Sequence, residues 1–225
     1  AFSFRAAEEL GSTIEYHQNQ NLFDGLLFRA EGRVFCSGGQ LSDYAAMMAM
    51  EGTTAPAAAN GLELGKQVNR RISEILERIA LLEVPTVCVV AGDCFGGGLE
   101  LMSAFDGVLA APHVMFGFWQ RKIGLSFGWG GGRRLQERLG LKRARQMALA
   151  AATVPANEAL ALGLVDAIHP EPLLEAEGEA LLRRWMALPR APVRPLKSWN
   201  VAREGEFRDC ECEYEREIFE GLWGN

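Results

Sequence analysis

Thr86-Val87-Cys88-Val89-Val90-Ala91 is followed, after four residues, by Gly96-Gly97-Gly98 and then by Leu99-Glu100-Leu101-Met102. The first run is apolar and rich in β-branched side chains, without polar alternation, as in a strand buried on both faces. The glycines permit a sharp turn and a close backbone approach. Leu99 to Met102 opens a helix, whose first-turn N–H groups lack helical partners and lie at the positive end of its dipole. A strand buried on both faces needs helices on either side, so this unit points to an α/β fold.

Working outward, the pattern repeats. Phe4, Ala7, Leu10 and Ile14 recur at helical spacing and predict a helix over residues 2–20. Asp24-Gly25 is a turn before the short strand Leu26 to Arg29. Val68, Ile72, Ile75, Leu76 and Ile79 form an amphipathic stripe that ends before Pro85. Residues 45–62, rich in Ala, Met, Thr and Gly without a clear period, read as a lid-like segment. Val108 to Ala111 and Val165 to Ile168 are further short strands, and helices are expected over 131–139, 142–151 and 156–162. Gly163 suits a left-handed cap. Prolines 189, 192 and 195 mark a boundary, dividing the chain into a core of residues 1–188 and a helical C-terminal region of 189–225. The chain opens at Ala1 in what reads as mid-domain sequence, and we expect an N-terminal strand upstream.

Composition narrows the function classes. The chain has 225 residues, and 48% of them are hydrophobic, enough for a real core. A net charge of −6 disfavours nucleic-acid binding, which needs a basic stripe. Arg133, Arg134, Arg138, Lys142, Arg143 and Arg145 do cluster, and the cluster reads as a solvated helix face, with a site for an anionic group such as a phosphate as the alternative. No run approaches the ~18 apolar residues of a membrane span, and no secretory leader is evident. Five cysteines, three of them in apolar or glycine-rich runs, read as free thiols in a reducing, cytoplasmic compartment. Cys210-x-Cys212 has no partner pair for a zinc site, so no metal is expected.

A second glycine turn, Cys36-Ser37-Gly38-Gly39, also ends a strand. Two such turns serve packing, or they aim two N–H groups at one oxygen as an oxyanion hole. A nucleotide loop is disfavoured, because neither Gly-x-Gly-x-x-Gly nor a Lys-Ser/Thr after the glycines is present. Glu100 lies one turn into the helix, where it complements the dipole or reaches the hole.

Gly32 to Gly39 (Gly-Arg-Val-Phe-Cys-Ser-Gly-Gly) resembles the first motif of the crotonase, or enoyl-CoA hydratase/isomerase, superfamily. Ala91 to Leu101 resembles the second. The block from Phe116-Gly117 through Ile123-Gly124-Leu125 to Gly128-Trp129-Gly130-Gly131 is similar to the third, and Ala159 to Asp166 to the fourth. The resemblance implies a crotonase-type ββα spiral with a helical C-terminal region. It also implies a lyase of fatty acid metabolism that acts on an acyl-CoA or acyl-carrier thioester, assembles as a homotrimer or homohexamer and needs no cofactor beyond the CoA of its substrate. It makes Ser37 and Gly97 the oxyanion donors and Glu100 the first of two catalytic glutamates. Cys36, Gly39, Gly96, Trp119 and Trp129 would line the substrate, although the tryptophans suit core packing equally.

The chain departs from the pattern at two positions. Gln120 stands where the second catalytic glutamate falls, and an amide is neither general acid nor base. Gln40 replaces a common Asp. Phe118 to Gly124 and Trp129 to Gly131 resemble the ethylmalonyl-CoA decarboxylase branch, whose chemistry generates an enolate by loss of CO2 without a base. Arg121 or Lys122 would then hold a substrate carboxylate. The resemblance also leaves room for an isomerase, and the amide at Gln120 for a non-catalytic acyl-CoA-binding subunit. His17, His113 and His169 read as bystanders, and Cys36 and Cys94 as buried thiols.

Overall fold

The computed structural model describes residues 1–20, 22–40, 57–198 and 216–221, with the side chains of 57–64 excepted. The first helix, α1 (Phe4–Asn19), is capped by Ser3, whose Oγ accepts from the Ala6 N–H at 3.0 Å. It lies along α2 (Ala57–Ala80), joined by the Arg71–Glu8 and Arg78–Glu15 ion pairs. The lid-like segment expected over 45–62 does not extend that far. Residues 45–56 lie outside the described residues, but 57–62 form the first turns of α2.

Among the described residues, eight strands form two sheets. They are β1 (Leu26–Arg29), β2 (Val34–Cys36), β3 (Thr86–Val90), β4 (Asp93–Phe95), β5 (Gly107–Ala110), β6 (Met115–Gly117), β7 (Thr153–Pro155) and β8 (Ala167–Ile168). The first sheet has the order β1-β3-β5-β8 and is parallel throughout. The second has the order β2-β4-β6-β7, with β7 antiparallel to β6. From β1 to β6 consecutive strands alternate between the sheets, so each of these circuits of the chain leaves one strand in each, and β7 and β8 then add one strand to the edge of each sheet. This alternation is the expected ββα spiral, within a mixed α/β fold.

The first sheet is the core. Every residue of β3 and β5 is buried, and α7 (Glu171–Met186) packs across β1, β3 and β5. The other helices among the described residues are α3 (Gly97–Met102), α4 (Gly131–Leu139), α5 (Leu141–Leu149), α6 (Ala156–Leu162) and α8 (Val193–Lys197), and residues 216–221 are helical as well. Gly163 caps α6 in the left-handed region, as expected. Beyond residue 188, Lys197 reaches back to Asp106 at 2.7 Å and to the Val84 carbonyl at 2.8 Å.

The basic cluster divides. Lys142, Arg143 and Arg145 are exposed, but Arg134 is only 4% exposed. It falls on the inner stripe of α4 with Leu135 and Leu139. Among the described residues, no helix is long and apolar enough to cross a membrane. No group of three or more metal-ligating side chains is found among them either.

Candidate active site

The two glycine turns meet. Gly38 (φ 104°) and Gly96 (φ 55°) both adopt backbone that disfavours a side chain. A Cβ on Gly38 would lie 3.3 Å from the Gly97 nitrogen, and one on Gly96 would lie 3.6 Å from the Ser37 carbonyl oxygen. Gly97 is the first residue of α3, and its N-cap, Gly96, supplies no side-chain cap. The helix starts two residues earlier than the sequence pattern indicates, so the glycines form its first turn.

These turns line a cavity of about 350 Å³. Ser37, Gly39, Gly96, Gly97, Glu100, Trp119, Gln120 and Trp129 all border it, so eight of the nine site residues expected from sequence share one space. Cys36 is the exception. It lies behind the turn, 2% exposed, where a Cβ on Gly98 would meet its carbonyl oxygen at 2.4 Å. Burial pushes the Cys36 thiol above its usual range and the Cys94 thiol well above it, so both are inert neutral groups. None of the three histidines borders the cavity.

Glu100 is 2% exposed and its carboxylate is fully engaged. Oε2 accepts from the N–H groups of Gly128 (3.2 Å), Trp129 (2.7 Å) and Gly131 (3.1 Å). Oε1 accepts from Gln120 Nε2 at 3.3 Å. The carboxylate thus caps α4, whose N-cap Gly130 has no side chain for the task. Gly131 is obligatory here, since a Cβ would sit 2.2 Å from Glu100 Cγ.

Arg134 closes the same network from below. Nη2 donates to the carbonyls of Trp129 (2.7 Å) and Glu100 (3.2 Å), and Nε donates to Ser103 Oγ (3.1 Å). Asn69 Nδ2 holds the Gly128 carbonyl at 2.8 Å. The turn 128–131 is therefore pinned on both its N–H and its C=O sides. The indole of Trp129 lies against Gly97, where a Cβ would meet the ring at 2.5 Å.

Gln120, 8% exposed, opens the short 3-10 segment Trp119–Ile123 with Trp119. Its Oε1 is buried and has no hydrogen-bond partner among the described residues. Trp119 stacks on Phe95 at 3.9 Å between centroids, and Lys122 Nζ sits 4.2 Å from the Trp119 ring centroid. Lys122 is the cation among the cavity's lining residues, whereas Arg121 turns away to the Leu149 carbonyl.

Sequence reasoning missed several members of the site. Arg134 was visible in principle, three residues after Gly131 and beside Leu135 on one helical stripe. Phe219, 8% exposed, reaches the cavity from 216–221, and its aromatic side chain beside Ile218 was the available signal. Ile123, Leu125 and Ser126 complete the wall.

Known proteins share this architecture. A sequence model of the enoyl-CoA hydratase/isomerase family matches residues 1–220. A crystal structure of an enoyl-CoA hydratase from Mycobacterium avium subsp. paratuberculosis K-10 shares 26% identity and a TM-score of 0.78, over 97% of this chain and 79% of that one. An enoyl-CoA hydratase from Bacillus halodurans, at 19% identity, superposes with a TM-score of 0.81 over 100% of this chain and 86% of that one. An enoyl-CoA hydratase/isomerase family protein from Silicibacter pomeroyi does so at 23% identity and 0.74, over 95% and 85%. With the family match spanning nearly the whole chain, and the sheets and glycine turns arranged as described, the chain belongs to the enoyl-CoA hydratase/isomerase family of the crotonase superfamily.

Proposed function

We propose that this protein is an acyl-CoA lyase that holds a thioester carbonyl between the N–H groups of Ser37 and Gly97 and stabilises the enolate formed there. The contact of the two glycine turns at the wall of one cavity carries the reading. Donors built into backbone need no reorganisation as charge develops, and losing one such donor typically costs about 10²–10³ in rate. CoA enters as part of the substrate, and no separate cofactor is needed. A homotrimer or homohexamer in the cytoplasm belongs to the same reading, and sedimentation tests the assembly.

Glu100 and Gln120 take distinct parts in it. Gln120 carries no titratable proton, so it orients and does not transfer. Glu100 Oε2 is occupied by the amides of the 128–131 turn, while Oε1 has the longer bonds, from Gln120 Nε2 at 3.3 Å and the Gly128 N–H at 3.4 Å, so a substrate or water contact would be made at Oε1 in exchange for one of them. For hydration, Oε1 would have to activate water and manage the α-proton without a second carboxylate.

Decarboxylation of a malonyl-type thioester is the second reading, favoured by Lys122 on the cavity wall. Its ammonium would hold the substrate carboxylate, a task for which Arg121 is turned the wrong way. The Cα–carboxylate bond would break, its electron pair passing to the thioester oxygen while CO2 departs. The enolate would then take a proton at Cα from water. No base is required, which suits a site with one carboxyl group.

A mass-spectrometric turnover assay in deuterated water separates the readings. Crotonyl-CoA, methylmalonyl-CoA and ethylmalonyl-CoA are offered to the purified protein. Gain of water by crotonyl-CoA supports hydration. Loss of CO2 with one deuteron gained supports decarboxylation. Tight binding of the thioesters without turnover of any of them makes the protein a non-catalytic acyl-CoA binder and sinks the lyase proposal.

A further inference from the structure

Charge is spread unevenly along the chain. Residues 117–155 hold eight Lys and Arg residues and one carboxylate, Glu137, in a protein whose net charge is −6. Three of the eight, Arg133, Arg134 and Arg138, pair with Glu77, Glu137 and Asp166. The other five are Arg121 and Lys122 on the 3-10 segment and Lys142, Arg143 and Arg145 on α5. All five are exposed, and none is in an ion pair among the described residues. Arg121 bonds the Leu149 carbonyl and Lys122 lies over the Trp119 ring, and both keep their charge. The 3-10 segment and α5 pack together, so these cations form one basic surface. Ile123, Leu141 and Leu149, each more than half exposed, stand among them. A chamber of about 250 Å³ between the 3-10 segment, α4 and α5 reaches this surface, since exposed Arg121, Arg145 and Leu149 border it while Phe118, Phe127 and Ala144 give it apolar depth.

An acidic protein with one basic face meets polyanions through that face. The exposed apolar residues decide which polyanion. Single-stranded nucleic acid is gripped by aromatic platforms as well as cations, whereas Ile123, Leu141 and Leu149 are aliphatic. A specific protein partner calls for aromatic anchors and few lysines. Cations interleaved with aliphatic tips match the boundary between headgroups and acyl chains in an anionic bilayer. We propose that the surface formed by the 3-10 segment and α5 docks on an anionic lipid layer. Arg121, Lys122, Lys142, Arg143 and Arg145 meet the headgroup phosphates, Ile123, Leu141 and Leu149 enter beneath them, and the apolar chamber opens onto the layer. This is contact with a surface and needs no spanning helix. It goes beyond the chemistry of the main cavity and does not depend on it.

Sedimentation of the full chain with large unilamellar vesicles tests this. Vesicles of equal parts phosphatidylglycerol and phosphatidylcholine should bind the protein about 10-fold or more tightly than pure phosphatidylcholine vesicles. Raising the salt to about 0.5 M should release it, because the screening length then shrinks to about 4 Å. Each cation at such a surface strengthens binding about fivefold, so Lys142→Gln with Arg143→Gln should weaken it about 20-fold. Arg183→Gln with Arg184→Gln, the same charge change on the exposed face of α7, should leave it within about 2-fold. The wild-type comparison of the two vesicle types needs no variant, so a poorly folding variant does not spare the idea. Equal binding to both vesicle types overturns it, as does no binding to either. Equal losses from the two arginine and lysine pairs would mean that overall charge and not this surface is read, and would overturn it too. So would a protein that ignores vesicles and binds polyglutamate through Lys142 and Arg143, since the surface would then take an acidic protein. None of these outcomes bears on the lyase reading.

Discussion

Two ionisable groups, both essentially sealed from water, sit in two regions built on opposite terms. Cys88 lies in the centre of β3, among carbon, and burial pushes its thiol far above the usual range. Glu100 lies in α3 with three backbone N–H groups on one oxygen, and Arg134 braces the backbone around it. The centre of the first sheet, β3 and β5, excludes charge and depends on volume. The turn 128–131 is built around a carboxylate and depends on hydrogen bonds. Volume-conserving changes should therefore be tolerated in the sheet and not in the turn.

Conservative substitutions probe this difference directly. Glu100→Gln keeps shape but turns charge-assisted bonds into neutral ones and sets an NH2 against amide donors. It should cost about 3 kcal/mol in urea unfolding. Leu109→Met in β5 (2% exposed) should cost under about 1.5 kcal/mol. Equal losses would erase the proposed contrast. Arg134→Lys keeps the charge but cannot reach Trp129 O, Glu100 O and Ser103 Oγ with one fork, and should cost about 2 kcal/mol. A neutral outcome would show that the turn is held by Glu100 and Asn69 alone.

The smallest effect is a slope. The folded Cys88 pKa is raised, so its stabilising contribution is complete below the pKa of an unfolded thiol and declines as pH rises above it, because the unfolded chain loses a proton that the folded chain keeps. Stability should fall more gently above about pH 8.5 in Cys88→Ala than in the wild type, by up to about 1.4 kcal/mol per pH unit. An unchanged slope would mean that the thiol is not sealed. Lys197, lowered by burial beside Asp106, acts in the opposite sense below its own unfolded range and is present in both proteins.

These regions also differ in how far the sequence could be read. The strand Thr86–Val90 and the helix over Val68 to Ile79 carry patterns long enough to recognise, and both are present. The second sheet has strands of only three residues, at Asp93–Phe95, Met115–Gly117 and Thr153–Pro155, too short for a period to declare itself. The strand expected over Val165 to Ile168 is only Ala167–Ile168, because Asp166 commits its carboxylate to the Val108 N–H at the start of β5. In the site, the glycine motifs located the meeting of the turns. The capping role of Glu100 was not legible, because its donors lie 28 to 31 residues away in the chain.

The central claim is that Ser37 and Gly97 polarise a thioester carbonyl. Isotope-edited infrared spectroscopy of a [1-13C]acyl-CoA bound to the protein reads this bond directly. The account predicts a carbonyl stretch lowered on binding, and Gly97→Pro, which removes one donor N–H, should return it toward the free value in whatever ligand still binds. A bound thioester whose carbonyl stretch matches that in water would contradict it.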